Sequence, residues 1–170
     1  MIQHKGITLV EMIIVLAIVA VLSTTVAPAF REMMIRQTLI SSSNQAIMML
    51  YSARVHAMEH GSVLICDKST MCSQFHQADT IVIVAANQVD NASGGPSEIL
   101  HTWHLPKGMT MDWRSFRNRP WLEYRADATS YFQNGSLLLC YRGQARRVII
   151  TRIGRPRIDP DLKQSTHCSI

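Results

Sequence analysis

Residues 5–30 read KGITLVEMIIVLAIVAVLSTTVAPAF. From Ile7 to Phe30 the only ionisable side chain is Glu11, so a run of 24 residues is otherwise uncharged. A helix crosses a bilayer with about 20 predominantly apolar residues. The parts of this stretch stand in the wrong order for an ordinary secretory signal, in which the small-residue cleavage site follows the apolar core. Here the charged start is MIQHK, and the small residue, Gly6, precedes the apolar run. Cleavage after Gly6 would remove residues 1–6 and leave the hydrophobic helix intact behind a new N-terminus at Ile7. Glu11 would then be the fifth residue. A carboxylate within a membrane segment costs about 3 kcal/mol or more and normally marks function. The α-amine freed at Ile7 of a neighbouring subunit is a partner of the right charge. The competing reading is a plain signal anchor that tolerates a glutamate near the interface.

The same stretch resembles the class III signal of type IV pilins and type II secretion pseudopilins. That pattern is a basic residue, Gly, the cleavage point, a hydrophobic residue, and Glu at the fifth mature position. Lys5, Gly6, Ile7 and Glu11 match it, although the first mature residue is more often Phe or Met. Pro28 falls where many pilins carry a helix-bending proline. The resemblance implies that a prepilin peptidase cuts after Gly6 and methylates the amine of Ile7, and that Glu11 serves assembly with other major and minor pilins. It also implies an α+β fold, a long N-terminal helix packed on an antiparallel β-sheet domain. The expected order is a leader over 1–6, a transmembrane and assembly helix over 7–30, an amphipathic continuation over 31–60, and a globular β-rich domain with a basic tail over 61–170. The expected location is the inner membrane, single-pass, with the C-terminal domain in the periplasm and later in an extracellular pilus.

Beyond Phe30 the apolar residues Ile40, Ile47, Met48, Tyr51, Val55 and Met58 fall on one helix face at 100° per residue. That face is expected to pack on the domain, with Gly61 stopping the helix. The pattern then changes to strands. VLIC (63–66) and TIVIVAA (80–86) are β-branched apolar runs, and EILHTWHL (98–105) alternates before Pro106. NQVDNASGGPS (87–97) has the composition of a loop. Asn134-Gly135 is a hairpin signal, and SLLLCY (136–141) should pair with RRVIITRI (146–153) across Arg-Gly-Gln-Ala. The blocks YSARVHAMEHGSVLICDKSTMCS, FQNGS and RRVIITRIGRPR resemble the GspH/FimT group, and the closing Gly-Arg-x-Arg is most like a FimT-type minor pilin.

All four cysteines, Cys66, Cys72, Cys140 and Cys168, follow the hydrophobic segment, where a translocated domain meets an oxidising compartment. Three pairings are possible. Cys66–Cys72 and Cys140–Cys168 are favoured because each closes one local unit, the second stapling the tail to the strand of Cys140. A zinc knuckle is the alternative, but the spacings are not paired CxxC.

The net charge is +5, and residues 141–170 alone hold seven basic residues against two acidic ones, an excess of the same size. Such a tail fits a polyanion, or merely a solvated face. Arg155 and Arg157 lie two apart, so in extended backbone both leave one face about 7 Å apart, near the spacing of phosphates along a DNA strand. Gly154 allows a turn or close approach. Pro156 has no N–H, which confines it to an edge or loop. In a regular strand Arg146 and Arg152 leave one face and Arg147 the other. Together with Lys163 they form a positive ridge suited to the backbone of double-stranded DNA, bound without sequence preference. The resemblance to FimT-type minor pilins implies DNA uptake in natural transformation, with Arg155 and Arg157 as contacts. The alternatives are a GspH-like minor pseudopilin of a type II protein secretion system, and an Arg152 that pairs with Asp159 or Asp161.

No catalytic pattern, phosphate loop or cofactor motif stands out, and the chain reads as a binding protein rather than an enzyme. His101 and His104 should face opposite ways on a strand. His56 and His60 share a helix face, but no third metal ligand is evident, so no metal is expected. Trp103, Trp113 and Trp121 read as core or cover. WRSFRNRPW (113–121) reads as a structured loop, with a second nucleic-acid contact as its alternative.

Overall fold

The computed structural model describes residues 8–86, 99–130, 133–159, 163–164 and 168. The proposed leader and the loop at 87–97 lie outside them.

One helix, α1, runs from Leu9 to His60 and continues through Pro28. Thr8 begins it. The Thr8 hydroxyl accepts the Glu11 N–H at 3.3 Å, and the Thr8 carbonyl accepts the Met12 N–H at 3.3 Å. Thr8 and Glu11 therefore have the spacing of a capping box, and the carboxylate sits in the first turn, where the helix dipole favours negative charge. The helix stops at Gly61, whose N–H returns to the Ala57 carbonyl at 3.1 Å.

The chain divides into two units, residues 1–35 and 36–170. In the first, the described side chains from Thr8 to Met34 are all exposed. This stretch is long and apolar enough to cross a membrane.

The second unit contains β1 (Val63–Asp67), β2 (Thr80–Ala85), β3 (Ile99–His104), β4 (Met109–Ser115), β5 (Leu122–Tyr124), β6 (Gly135–Tyr141), β7 (Gln144–Ile150), β8 (Pro156–Ile158) and β9 (Lys163–Gln164). They form two antiparallel sheets. Sheet A has the order β3-β2-β1-β5; sheet B has β4-β6-β7-β8, with β9 also on β7. The sheets meet where Ala78 bridges Met111 and the Trp113 N–H reaches the Phe75 carbonyl at 3.1 Å. The long helix packs on these sheets, giving the α+β fold.

Leu39 and Leu50 of the helix, Ile65, Ile81 and Ile83 of sheet A, and Met111, Leu137, Leu139 and Ile150 of sheet B are all fully buried. Both sheets have a second, smaller cluster. Leu64, Cys66, Val82 and Val84 lie together with Cys72, and Trp121 packs against them. Leu138, Cys140 and Ala145 are covered by Cys168. Disulfides join Cys66 to Cys72 and Cys140 to Cys168, one in each cluster. For a separation of 28 residues the chain-entropy estimate of the second is roughly 3–4 kcal/mol.

The helix presents a different face from the one its bulk suggested. Its buried residues are Leu39, Ser42, Ser43, Ala46, Met49, Leu50, Ala53 and Ala57, whereas Met48, Tyr51, Val55 and Met58 are exposed and Ile40 and Ile47 only half-buried. At 100° per residue the two faces lie about 140° apart. The selected face is the one with small side chains, which let the helix backbone approach the sheets; the bulky residues form an apolar stripe outside.

Strand boundaries also differ in instructive ways. β7 starts two residues early, because Arg142 and Gly143 (φ 49° and 78°) make a two-residue turn. It ends at Ile150, so Arg152 lies in a turn rather than on the face of Arg146. Asn134-Gly135 is not a hairpin turn. Gly135 begins β6 against the end of β4, where a Cβ would run into the Arg114 carbonyl and come within 2.8 Å of the Trp113 ring. WRSFRNRPW is strand β4 as far as Ser115 and loop only afterwards.

Ala53→Leu should overpack the helix–sheet contact and cost about 1–3 kcal/mol in urea unfolding of the detergent-solubilised chain. Met48→Ala, on the exposed stripe, should stay within about 0.5 kcal/mol of the parent.

Candidate functional site

The basic tail is an edge of sheet B. β8 pairs with β7 in the register Val148↔Ile158, Ile149↔Arg157, Ile150↔Pro156. Pro156 is buried between exposed Arg155 and Arg157, so the two arginines share the solvent face. Having no N–H, Pro156 belongs on such an edge.

A three-residue turn, Arg152-Ile153-Gly154, leads into this edge. The Thr151 N–H donates to the Arg155 carbonyl at 3.0 Å and the Gly154 N–H to the Thr151 carbonyl at 2.8 Å. The Thr151 hydroxyl also accepts the Arg155 N–H at 3.1 Å. A left-handed third residue is the usual way to close such a turn, and Gly154 has φ +80°. A second constraint acts on the same residue. A Cβ there would lie 2.7 Å from the Tyr124 ring and 3.0 Å from the Ser130 nitrogen. The turn therefore rests on Tyr124, whose hydroxyl donates to the Gly154 carbonyl at 2.9 Å. Tyr124 is fully buried, and that burial pushes its hydroxyl well above the ordinary tyrosine range, against the pull of nearby Arg54. It remains a donor at every working pH.

The register across sheet B sorts the arginines. Residues paired directly across strands share a face. Arg114, Ser136, Ile149 and Arg157 form one such row, from β4 to β8. The next row on that face holds Asp112, Leu138 and Arg147. Exposed Arg114, Arg147, Arg155 and Arg157 are thus brought to one side of the sheet. Arg146 is not: it pairs with fully buried Leu139 on the opposite face, and its Nε is buried without a hydrogen-bond partner among the described residues. Arg152, from its turn, lines a groove with Arg157. The backbone of Lys163 pairs with Ala145, which brings β9 to the same sheet; its side chain is outside the described residues. Sequence reasoning held Arg114 only within the alternative reading of WRSFRNRPW as a nucleic-acid contact and missed its place on this face, because the strand character of Trp113–Ser115 was masked by the arginines and proline after it.

At the Ser115 end of the sheet an open groove of about 610 Å³ is lined by Phe116, Arg117, Asn134, Thr151, Arg152 and Arg157, together with Ile149 and Ile150 at the end of β7. Among the described residues no carboxylate lines it. Beyond it, the Arg119 guanidinium sits 5.6 Å from the centre of the Trp121 ring.

The remaining expected sites are dispersed. Gly6 and Ile7 lie outside the described residues, and Glu11 is in the first helical turn. His101 and His104 lie in the regularly paired part of β3, opposite Ile83 and Thr80, so alternation sets them on opposite faces. Neither points into the core: both are exposed on this edge strand, and both line an open cleft with Met48 and Trp103. A third ligand does join the helical histidines. Glu59 lies 3.7 Å from His60, and one ligand atom each of His56, Glu59 and His60 fall within 4.8 Å of one another, a group that could hold a cation.

Residues 1–27 match the prokaryotic N-terminal methylation motif. Residues 42–154 match the family of type II transport protein GspH; the match ends at Gly154, one residue before Arg155. No curated protein matches the chain. The fold is similar to that of the type IV minor pilin FimU of Pseudomonas aeruginosa, with a TM-score of 0.58 and 20% identity over 79% of this chain and 97% of that one. A second crystal form of FimU gives 0.56 and 20%, covering 77% and 100%. The minor pseudopilin EpsH of the Vibrio cholerae type 2 secretion system gives 0.47 and 12%, covering 71% and 94%.

Tyr124→Phe should destabilise the protein by about 1–3 kcal/mol, because the Gly154 carbonyl loses its donor. Gly154→Ala should cost at least as much, from backbone strain together with the clash. The pH dependence has a definite sign. With the folded-state pKa of Tyr124 above that of the unfolded chain, its contribution is complete below about pH 10 and is lost as pH rises further. Urea midpoints of parent and Tyr124→Phe should therefore converge in strong alkali and stay apart at neutral pH.

Proposed function

Since the chain belongs to the GspH family and opens with the N-terminal methylation motif, we propose that it is a minor type IV pilin that captures extracellular double-stranded DNA for uptake in natural transformation. One observation carries this reading: Arg155 and Arg157 stand exposed on one face of an edge strand, with Arg147 and Arg114 on the same side of the sheet. Guanidinium groups bind phosphate oxygens bidentately, and a row of them needs no base contact to hold a duplex. The task is reversible binding, with no catalytic step. Gly154 serves it indirectly, by shaping the turn that presents Arg155. Arg152 and Lys163 are supporting contacts, and Arg146 drops to a packing role.

The rest of the proposal concerns how the site is delivered. Residues 1–6 are a leader removed by prepilin peptidase after Gly6, with methylation at Ile7. Residues 7–30 hold the protein in the inner membrane with the domain in the periplasm. In the pilus Glu11 pairs with the freed amine of a neighbouring subunit, and the stripe of Met48, Tyr51, Val55 and Met58 packs against other pilins. Placement near the pilus tip would leave the arginine face open to DNA.

The second reading is a minor pseudopilin of a type II secretion system, favoured by the description of the matching family. Deletion separates the two, since a DNA-capturing pilin loses transformation and keeps secretion, and a pseudopilin does the reverse.

In fluorescence anisotropy, the full chain in detergent should bind a short blunt duplex with a log–log salt slope of roughly −4 to −5, corresponding to four to six phosphate contacts. Arg155→Ala/Arg157→Ala should flatten that slope by about 2 and weaken binding at low salt without changing the thermal unfolding midpoint. Absence of duplex binding by the parent at low salt would sink the DNA reading and leave the secretion pseudopilin.

A further inference from the structure

The groove at the Ser115 end of sheet B differs in chemistry from the arginine row beside it. A row of arginines suits a continuous phosphate backbone. The groove adds an aromatic ring. Phe116 is 84% exposed, more than any other described large apolar side chain in the second unit. Its backbone is held in place, since the Phe116 N–H donates to the Asn134 carbonyl at 3.0 Å. Arg117 follows it, and Arg152 and Arg157 line the same groove from the turn and edge of the tail. An exposed ring beside a cationic channel is the arrangement by which proteins hold single-stranded nucleic acid: the channel follows the phosphates, and unpaired bases stack on the ring. Bases inside a duplex are already stacked on each other and do not offer that face. At about 610 Å³ the groove is within the 300–1,000 Å³ range of sites that accept ligands larger than a lone phosphate.

We propose that this groove is a binding site for unpaired nucleotides, with Phe116 stacking on a base and Arg117, Arg152 and Arg157 on the adjoining phosphates. The proposal rests on the DNA-binding reading and extends it, because Arg157 would belong to both surfaces. The arginine row would hold the duplex, and the groove would take a frayed or single-stranded end. The charge argument favours this occupant over a second protein, since Arg117, Arg152 and Arg157 line the groove and, among the described residues, no carboxylate does. The loop after β4 thereby gains the nucleic-acid role that its interleaved arginines and aromatics hinted at.

The test uses the full chain in detergent, a 15-nucleotide oligothymidylate and a 15-base-pair blunt duplex, each followed by fluorescence anisotropy. Phe116→Ala should weaken oligothymidylate binding about 5- to 150-fold, the effect of removing one stacking aromatic, and leave duplex binding unchanged. Phe116→Tyr should retain binding, whereas Phe116→Leu, apolar but not aromatic, should not. A 2-aminopurine in the oligomer should be quenched by the parent and not by Phe116→Leu. Since Phe116 is exposed, these variants should unfold at the parent's temperature. Unchanged oligothymidylate binding in Phe116→Ala, or an equal loss on both ligands, overturns the groove proposal while a tail-dependent duplex interaction leaves the first reading standing. Oligothymidylate binding that needs Phe116, without any duplex binding that needs Arg155 and Arg157, overturns the first reading alone. A parent that binds neither ligand overturns both.

Discussion

The contact between Tyr124 and Gly154 decides where the basic edge of this protein can be. Tyr124 ends the short strand β5 on sheet A, and Gly154 closes the turn before β8 on sheet B. The hydroxyl-to-carbonyl bond therefore ties the two sheets together at the base of the tail. The turn has no freedom to lift away, because the tyrosine ring fills the space a glycine Cβ would take. Two requirements, a left-handed backbone and a missing side chain, fall on one residue. From there the chain can only run back along β7, which sends Pro156 inward and Arg155 and Arg157 outward.

A similar economy appears in the core. The second unit covers both faces of its sheets with little material. The helix covers part of the core by presenting Ala46, Ala53 and Ala57, which allow a closer approach than leucine would. The second faces are too small to support layers of their own, and a disulfide sits in each of their clusters. Small side chains facing the sheets leave bulky ones outside, and in a filament subunit that surplus is useful. The apolar stripe on the helix and the arginine face on sheet B are on separate elements, so the proposed assembly and ligand-capture roles need not compete for the same surface.

Much of this was legible in the sequence. An apolar run with a single glutamate after Lys5-Gly6, and β-branched runs after Gly61, pointed to the helix, the strands and their order. The Pro156 argument placed the tail at an edge because a missing N–H is a local property. The helix face was not legible, since periodicity finds both stripes and bulk chose the wrong one. Nor was the company kept by Arg114. Its place opposite Arg157 follows from the register of four strands, which depends on Gly135 fitting under Trp113 and on the two-residue turn at Arg142-Gly143. Alternation tells which side of its own strand a residue takes. It does not tell which residues of other strands stand beside it, and a binding face on a sheet is made of those neighbours.

That limit bears on how the arginine face would work in the proposed role. Neighbouring strands are about 4.8 Å apart, so the row from Arg114 to Arg157 crosses roughly 14 Å of sheet. Arginines placed along one strand would follow one phosphate backbone; arginines placed across strands present a surface as well as a line. Each contact is weak in salt, because its gain comes largely from released counterions. Retention then depends on several contacts acting together, first within one face and then among copies brought near one another by assembly, where each later contact forms at high effective concentration. A rigid sheet edge suits that use better than a free tail. The backbone of its arginines is already held in register, so only side-chain freedom would be lost on binding a polyanion.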